Sequence, residues 1–474
     1  MSHRVVAATI VLIAACSFNP GDGQGGDDAG DPDGGDDDGG PIDGAGSDGV
    51  CAARCEGDSL ITCNGAQDNP PMSCPAGCLT TGAPHCATLV PSNGASMSDL
   101  TGVIGDLVVA AGQVVVIDGD DGSIIGYVAG TPTTIRDPGV GLGDSIRFRA
   151  LAQGNGAPEV AIFGVRSLAI ADGGRLWIAG DRPVLILVEQ TASIAGALDA
   201  GGGHSGATGM VDCQECAGAG GGAGSTDLTA ASGCGPGLDG NYYPAMDETG
   251  GGGGGLGSVG GRGGDSNGGA AVGGDVTPIT GCPGDDLIPL EGGSGGGQGA
   301  LTGAVGGAEG GGGGGAVQIT ALLSISLLAT ADLYAGGAGG VGTMADYGGG
   351  GGGAGGGVLL EAPEVMVASG ARITANGGGG GSGREANRGE NGARSGVRAS
   401  GGAGNGTGNN DGRGGLGGVG ALTGQVATQG NGTIDGTGGG GGGAGVVRIN
   451  TVDPFLLPNV VISPPPTTGA AMRQ

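Results

Sequence analysis

The chain has 474 residues, of which 127 are glycine, one is tryptophan, five are tyrosine and four are phenylalanine, and its net charge is −29. Such acidity repels phosphates instead of releasing their counterions, which excludes nucleic acid and an anionic membrane surface as partners. Glycine offers no side chain to bury and loses the most backbone freedom on folding, which excludes a conventional globular core over the full length.

Arg4 precedes an apolar run, 5–15, in which Thr9 is the one polar residue. It is far shorter than the roughly 20 residues needed to span a bilayer, so 1–15 reads as the core of a signal peptide. No later apolar run is long enough to cross a membrane. The small residues of Ile13-Ala14-Ala15-Cys16 resemble the lipobox of bacterial lipoproteins. That resemblance implies that the Cys16 thiol receives a diacylglyceryl group and that Cys16 becomes the first mature residue. Ser17, where some members carry aspartate, implies the outer membrane. The rival is an ordinary secretory signal with an incidental cysteine.

Residues 16–50 follow as the lipidated cysteine and an acidic tether. Ten aspartates and no basic residue lie among glycines between 20 and 49, a composition of an extended, disordered segment. The fixed nonapeptide register of calcium-binding solenoids is absent.

Residues 51–90 form a six-cysteine module, with Cys51, Cys55 and Cys63 spaced C-x3-C-x7-C and Cys74, Cys78 and Cys86 repeating that spacing 23 residues later. The repeat predicts a duplicated half-module closed by three disulfides, with fifteen pairings open. Zinc bound beside His85 is the rival. An exported chain without the C-x2-C spacing of zinc ribbons in this module favours disulfides.

From 100 to 200 the pattern changes to short aliphatic runs separated by Gly/Asp turns. Val114–Ile117 and Ser123–Val128 flank Asp118-Gly119-Asp120-Asp121-Gly122 and read as a hairpin or as successive solenoid strands. The aspartates fail the calcium-loop pattern at its fifth and twelfth positions. Runs at 161–165, 167–170, 175–178, 184–188 and 193–200 fit the short strands of a parallel β-helix, with an antiparallel sandwich as the alternative.

Between 201 and 450 one phrase recurs: a glycine run, then an apolar strand, at Ala316-Val317-Gln318-Ile319, Gly357-Val358-Leu359-Leu360 and Val446-Val447-Arg448-Ile449, with Val184–Leu187 as a copy lacking the glycines. Second strands follow at 325–328 and 365–367. A third set is Gly196–Gly201, Ala331–Gly336 and Ala371–Gly377. The expected fold is therefore all-β and solenoid-like. Glycine-rich excursions at about 201–315, 336–357 and 376–445 leave from one face. Either they are flexible coil, or, lacking Cβ atoms, their backbones pack side by side, the reading slightly preferred. Cys213, Cys216, Cys234 and Cys282 lie in the first excursion and read as two structural disulfides pinning it, with a redox or metal role for Cys213-x2-Cys216 as the rival. A Pro-rich tail, 451–474, ends the chain.

The glycine runs joined to Gly-Val-Leu-Leu-Glu-Ala-Pro (357–363) and Gly-Ala-Arg-Ile-Thr-Ala-Asn-Gly (370–377) resemble the glycine-rich, PGRS-like predicted surface lipoproteins of myxobacteria. The resemblance covers roughly 100–450, the lipobox and the Cys-rich segment. It implies a kind of protein, not an activity.

Little else speaks for chemistry. His3, His85 and His204 have no evident triad partners, and Gly292-Gly293-Ser294-Gly295-Gly296 satisfies G-x-S-x-G only as glycine-rich chains do by chance. Asp172, Asp181 and Arg182 read as turn residues, and Tyr242-Tyr243 is the best aromatic patch for a ligand. No catalytic residue, metal or cofactor is assigned. The expectation is a non-enzymatic lipoprotein of the outer membrane or cell surface with a structural, adhesive or envelope-interaction role. Its partners are the membrane, through lipid, and surface glycans or other envelope components. The alternative is a β-helix that binds or processes carbohydrate; ice or mineral binding by flat glycine faces is a smaller third.

Overall fold

A computed structural model describes residues 51–154, 156–205, 211–243, 247–266, 272–300, 307–344, 347–384, 386–404, 412–414, 436–452 and 459–474. The signal segment, Cys16 and the acidic tether lie outside the described residues. Among those described the fold is all-β, with short 3-10 turns such as Met97–Leu100 and no α-helix.

The aliphatic runs form strands of three to six residues, and three long sheets collect them. Sheet 1 aligns Gln113–Asp118, Arg175–Ala179, Ala197–Asp199, Asp332–Tyr334, Arg372–Thr374 and Val461–Ser463 in parallel. Sheet 2 does the same with Val160–Val165, Val184–Val188, Ala316–Ala321, Gly357–Ala362, Val446–Thr451 and Thr467–Ala470. Sheet 3 stacks Leu107–Val109, Leu168–Ile170, Thr191–Ile194, Ser324–Leu327 and Glu364–Val367. The recurrent glycine-to-strand phrase is one column of this lattice, since Val184, Val317, Val358 and Val447 pair successively. The third recurrent set is another, Ala197 beside Asp332 beside Arg372. Alternate residues point inward from all three sheets, and Val115, Leu176, Ile186, Ile194, Ile319, Leu333 and Ile373 are completely buried among one another. Period-two burial in short strands cannot close a core alone, so each set depends on the sets above and below it.

Within the three long sheets, antiparallel pairing is confined to one end of sheets 1 and 2. Ile124–Val128 and Thr131–Arg136 extend sheet 1, and Gly141–Gly143 and Ile146–Leu151 extend sheet 2. The 114–128 hairpin is thus present, with the Asp118 carboxylate accepting the Asp120 N–H at 2.8 Å. The sandwich alternative is overturned: parallel ladders dominate the three long sheets. The Pro-rich stretch 451–474 supplies the last strands of sheets 1 and 2 and is no appended tail.

The ten cysteines among the described residues are all paired. Cys51–Cys63 and Cys74–Cys86 close each half-module, and Cys55–Cys78 joins the halves. The duplicated spacing therefore becomes a duplicated pairing, and no thiol is left for zinc. The module hydrogen-bonds the chain end, through Thr88 with Gln474 and Arg473 with the Ala76 carbonyl. From there 91–103 crosses the outer face of sheet 2. Ser92 donates its N–H and hydroxyl to the buried Glu361 carboxylate at 2.9 and 2.7 Å, and Arg149 grips Asp99 farther along.

The excursions leave after sheet 1 and return before sheet 2, and their described residues are hydrogen-bonded to one another. Segment 348–356 shows how. Its N–H groups cycle with a period of three: Gly348, Gly351 and Ala354 bond 291–300; Gly349, Gly352 and Gly355 bond 436–445; Gly350, Gly353 and Gly356 bond 335–343. Its carbonyls accept from Gly251 and Gly254, from Gly311 and Gly314, and from Gly378 and Gly381, all at 2.8–3.0 Å. Three donor neighbours and three acceptor neighbours surround one extended three-residue-per-turn helix, which itself has no internal hydrogen bonds. Glycine is obligatory here for steric reasons. A Cβ on Gly351 would lie 2.0 Å from the Gly252 carbonyl oxygen, and one on Gly353 2.0 Å from that of Gly312. The alanine spacers fall where a methyl fits, as at the buried Ala338 and Ala354.

Such a bundle has little apolar surface to bury. Ordering a backbone residue costs about 1–2 kcal/mol, and a hydrogen bond contributes about 0.5–1.5 kcal/mol net, so the two nearly cancel. The three-sheet stack supplies the missing stability by fixing where each excursion starts and ends.

Candidate functional site

The outer face of sheet 1 carries the rare side chains. Leu176, Leu198, Leu333 and Ile373 point inward, so Arg175, Trp177, Asp199, Asp332, Tyr334 and Arg372 point outward. The excursion 376–445 lays Arg394 across them. Its guanidinium contacts Asp199 at 2.5 Å and Asp332 at 3.0 Å, and sits 3.7 Å above the Tyr334 ring. Arg175 completes the pairing of Asp199 at 3.0 Å, and Arg372 that of Asp332 at 3.4 Å. Burial raises the Tyr334 phenol pKa well above its ordinary value. All 17 basic residues are arginine, which suits these shared, planar contacts.

Beside this cluster runs a groove in two lobes that meet at His204. One, of about 610 Å³, is floored by the buried Trp177 and edged by Asp181, Glu215 and glycine backbone. The other, of about 550 Å³, is lined by Asp212, Gln214, Arg388, Glu390 and Asn391. His204 meets the Trp177 ring edge-on at 6.1 Å, while Arg175 lies over the ring at 5.2 Å. Asp212 binds Arg388 and the Gln214 amide N–H. The Gln214 Oε1 is buried and has no hydrogen-bond partner. A third recess, of about 570 Å³, lies by Cys234–Cys282, and burial raises the pKa of Glu291 on its wall.

His204 is held below its ordinary pKa, first by burial, with Asp199 acting the other way and Arg175 adding to the lowering. The neutral imidazole is therefore favoured in the fold. The unfolded chain protonates first, below about pH 6.5, so stability is complete above that pH and lost as pH falls through the folded value. A lower urea midpoint at pH 5 than at pH 7 is expected, with part of that difference gone in His204→Gln. An unchanged slope in His204→Gln would refute it.

The sequence-based sites distribute as follows. Cys213 pairs with Cys216 and closes a tight local turn, while Cys234–Cys282 alone ties a long loop. Two loop-pinning bridges were expected, and one of the two is local because Cys213 hydrogen-bonds Gly203 and Cys216 within a single reversal. With Cys213 bonded to Cys216, no free thiol remains there for the rival metal reading. Ser294 is completely buried in the glycine bundle, its Oγ accepting the Gly235 N–H at 2.8 Å, and is no nucleophile. Arg182 braces turns, bonding Glu159 at 3.0 Å and the Asp120 carbonyl at 2.9 Å. Asp172 lies exposed in a turn. Tyr242 is exposed in a short pairing with Glu248; the Tyr243 side chain lies outside the described residues. The groove was not anticipated. Its only forewarning was that the single Trp lies in the sheet-1 strand Arg175–Ala179 and that one of three His follows closely after the sheet-1 strand Ala197–Asp199. Comparison of the chain with family models, with curated proteins and with solved structures found no match.

Proposed function

We propose that the chain is a non-enzymatic lipoprotein of the outer membrane or cell surface with a structural or adhesive role. The observation that carries this reading is the hub segment 348–356, bonded to six neighbours through backbone alone. A body built this way is stiff and poor in reactive side chains. We read the three-sheet stack as a parallel β-helix on which the glycine bundle is templated. Five disulfides support a compartment outside the cytoplasm. Binding of carbohydrate, the alternative, is favoured by the groove at His204.

The test is metabolic lipid labelling of wild type and Cys16→Ala, with protease treatment of intact cells. No Lys or Arg lies between 5 and 53, so trypsin has no site in the tether, whereas an aspartate-specific protease has many. The expected outcome is a labelled wild type, an unlabelled variant, and release of the folded body by the aspartate-specific enzyme only. A wild type that takes no lipid overturns the anchor, and protein untouched on intact cells overturns surface display.

A further inference from the structure

We propose that Cys213–Cys216 is a redox-active disulfide that exchanges with a dithiol reaching it through the recess at His204. The exchange is a property of the folded body and does not depend on the anchor.

This bridge differs from the others in what it holds. Cys51–Cys63 and Cys74–Cys86 span 12 positions, Cys55–Cys78 spans 23 and Cys234–Cys282 spans 48, whereas Cys213–Cys216 spans 3. A cross-link stabilises a fold less the shorter the loop it closes. The reversal here is also held without it. The Cys216 N–H donates to the Cys213 carbonyl at 3.0 Å, and Gly203 bonds both cysteines, at 3.2 and 2.7 Å. The Gln214 carbonyl accepts from Gly312 at 2.7 Å and the Glu215 carbonyl from Gly224 at 2.9 Å. Opening the bridge therefore leaves both sulfurs on an intact turn, placed to close again. A couple can cycle only where the fold survives both states.

The surroundings supply access and a proton carrier. Both cysteines are partly exposed, and Cys216, Glu215 and His204 line the same lobe of about 610 Å³. A Glu215 carboxylate oxygen lies within 4.8 Å of both sulfurs. That carboxylate has no hydrogen-bond or ion-pair partner among the described residues. The comparable carboxylate at Cys51–Cys63, Asp68, is instead held by the Arg54 guanidinium at 2.8 and 2.7 Å.

The incoming thiol gives its proton to Glu215, and its sulfur attacks Cys216 Sγ. The Cys213–Cys216 bond breaks, and its electron pair leaves on Cys213 Sγ, which takes that proton. The partner's second thiol then attacks the partner sulfur of the mixed disulfide, closing the partner's own disulfide and freeing Cys216, which is protonated in turn. Two electrons and two protons have passed from the dithiol to the bridge.

The test follows purified full chain in limiting dithiothreitol, quenched by alkylation at successive times, with each label placed by mass spectrometry. Cys213 and Cys216 should be labelled together, roughly tenfold faster than any other pair, and oxidised dithiothreitol should close the bridge again. Glu215→Gln should slow the opening roughly tenfold. Replacing Cys213 and Cys216 together by serine should abolish the fast phase and leave the thermal midpoint unchanged, whereas the same change at Cys234 and Cys282 should lower it. Opening of another bridge first, opening of all five together, or failure to reclose would overturn the proposal. So would an equal loss of midpoint in the two serine variants, and an unchanged rate in Glu215→Gln would remove the carboxylate from the exchange.

Discussion

Replacing Gly351 by alanine is expected to disorder the glycine bundle while leaving the three-sheet stack folded. The added methyl would sit 2.0 Å from the Gly252 carbonyl oxygen and 2.5 Å from its carbon. No rotamer relieves a contact between two backbones, and both segments are held on their other sides. Overpacking of this kind costs about 3 kcal/mol, at the upper end of ordinary core overpacking. That exceeds the small surplus a hydrogen-bonded glycine lattice retains after its entropy cost. Hydrogen exchange should show protection lost at Gly254, Gly297, Gly352 and Gly440 together, because Gly352 lies in the hub and the other three belong to segments bonded to it. Protection at Ile186, Ile319 and Leu360, in the stack core, should persist. Gly281→Ala is the matched control, since a Cβ there meets nothing within 4 Å and its φ is not positive. Equal exchange in the two variants would refute the packed bundle.

The second large effect is expected for Arg394→Met. Methionine keeps an apolar stem against Tyr334 but removes the charge shared by Asp199 and Asp332. Asp199 is only 1% exposed, and stranding a buried charge costs about 3–5 kcal/mol. Arg175 and Arg372 remain as partial partners, so the expected cost is nearer 2 kcal/mol, with loss of exchange protection in 389–392. Arg394→Lys should recover only part, because an ammonium cannot serve two carboxylates and a ring face at once. Adding Asp199→Asn to Arg394→Met should cost less than the sum of the two single changes, because the stranded carboxylate is then gone. Additive losses would show that the pair is not coupled.

Much of this architecture was readable from residue order. Strand repeats were legible because a stacked core demands the same alternation at every level, so Val317, Val358 and Val447 recur in the same local phrase. The six-cysteine pairing follows a repeated spacing, although the sequence left its fifteen connectivities open. The groove was not legible. Trp177, His204, Gln214 and Arg388 are separated by up to 211 positions, and no periodicity links them. Only the return of the excursions over sheet 1 brings them together. The local closure of Cys213–Cys216 was equally hidden, since four cysteines in one loop admit several pairings and the choice depends on where the chain reverses.

The composition alone carried two expectations: acidity argues against anionic partners, and glycine in such excess argues against an ordinary core over the full length. Alternating aliphatic runs settled a third, the all-β class, because side chains of short strands must share one buried face. The state of the glycine excursions was settled by neither. Glycine permits both a coil and a lattice, and its local preferences are nearly equal for each. The balance tips only when six segments are held at the right spacing, and that spacing is set by strands far away in the chain.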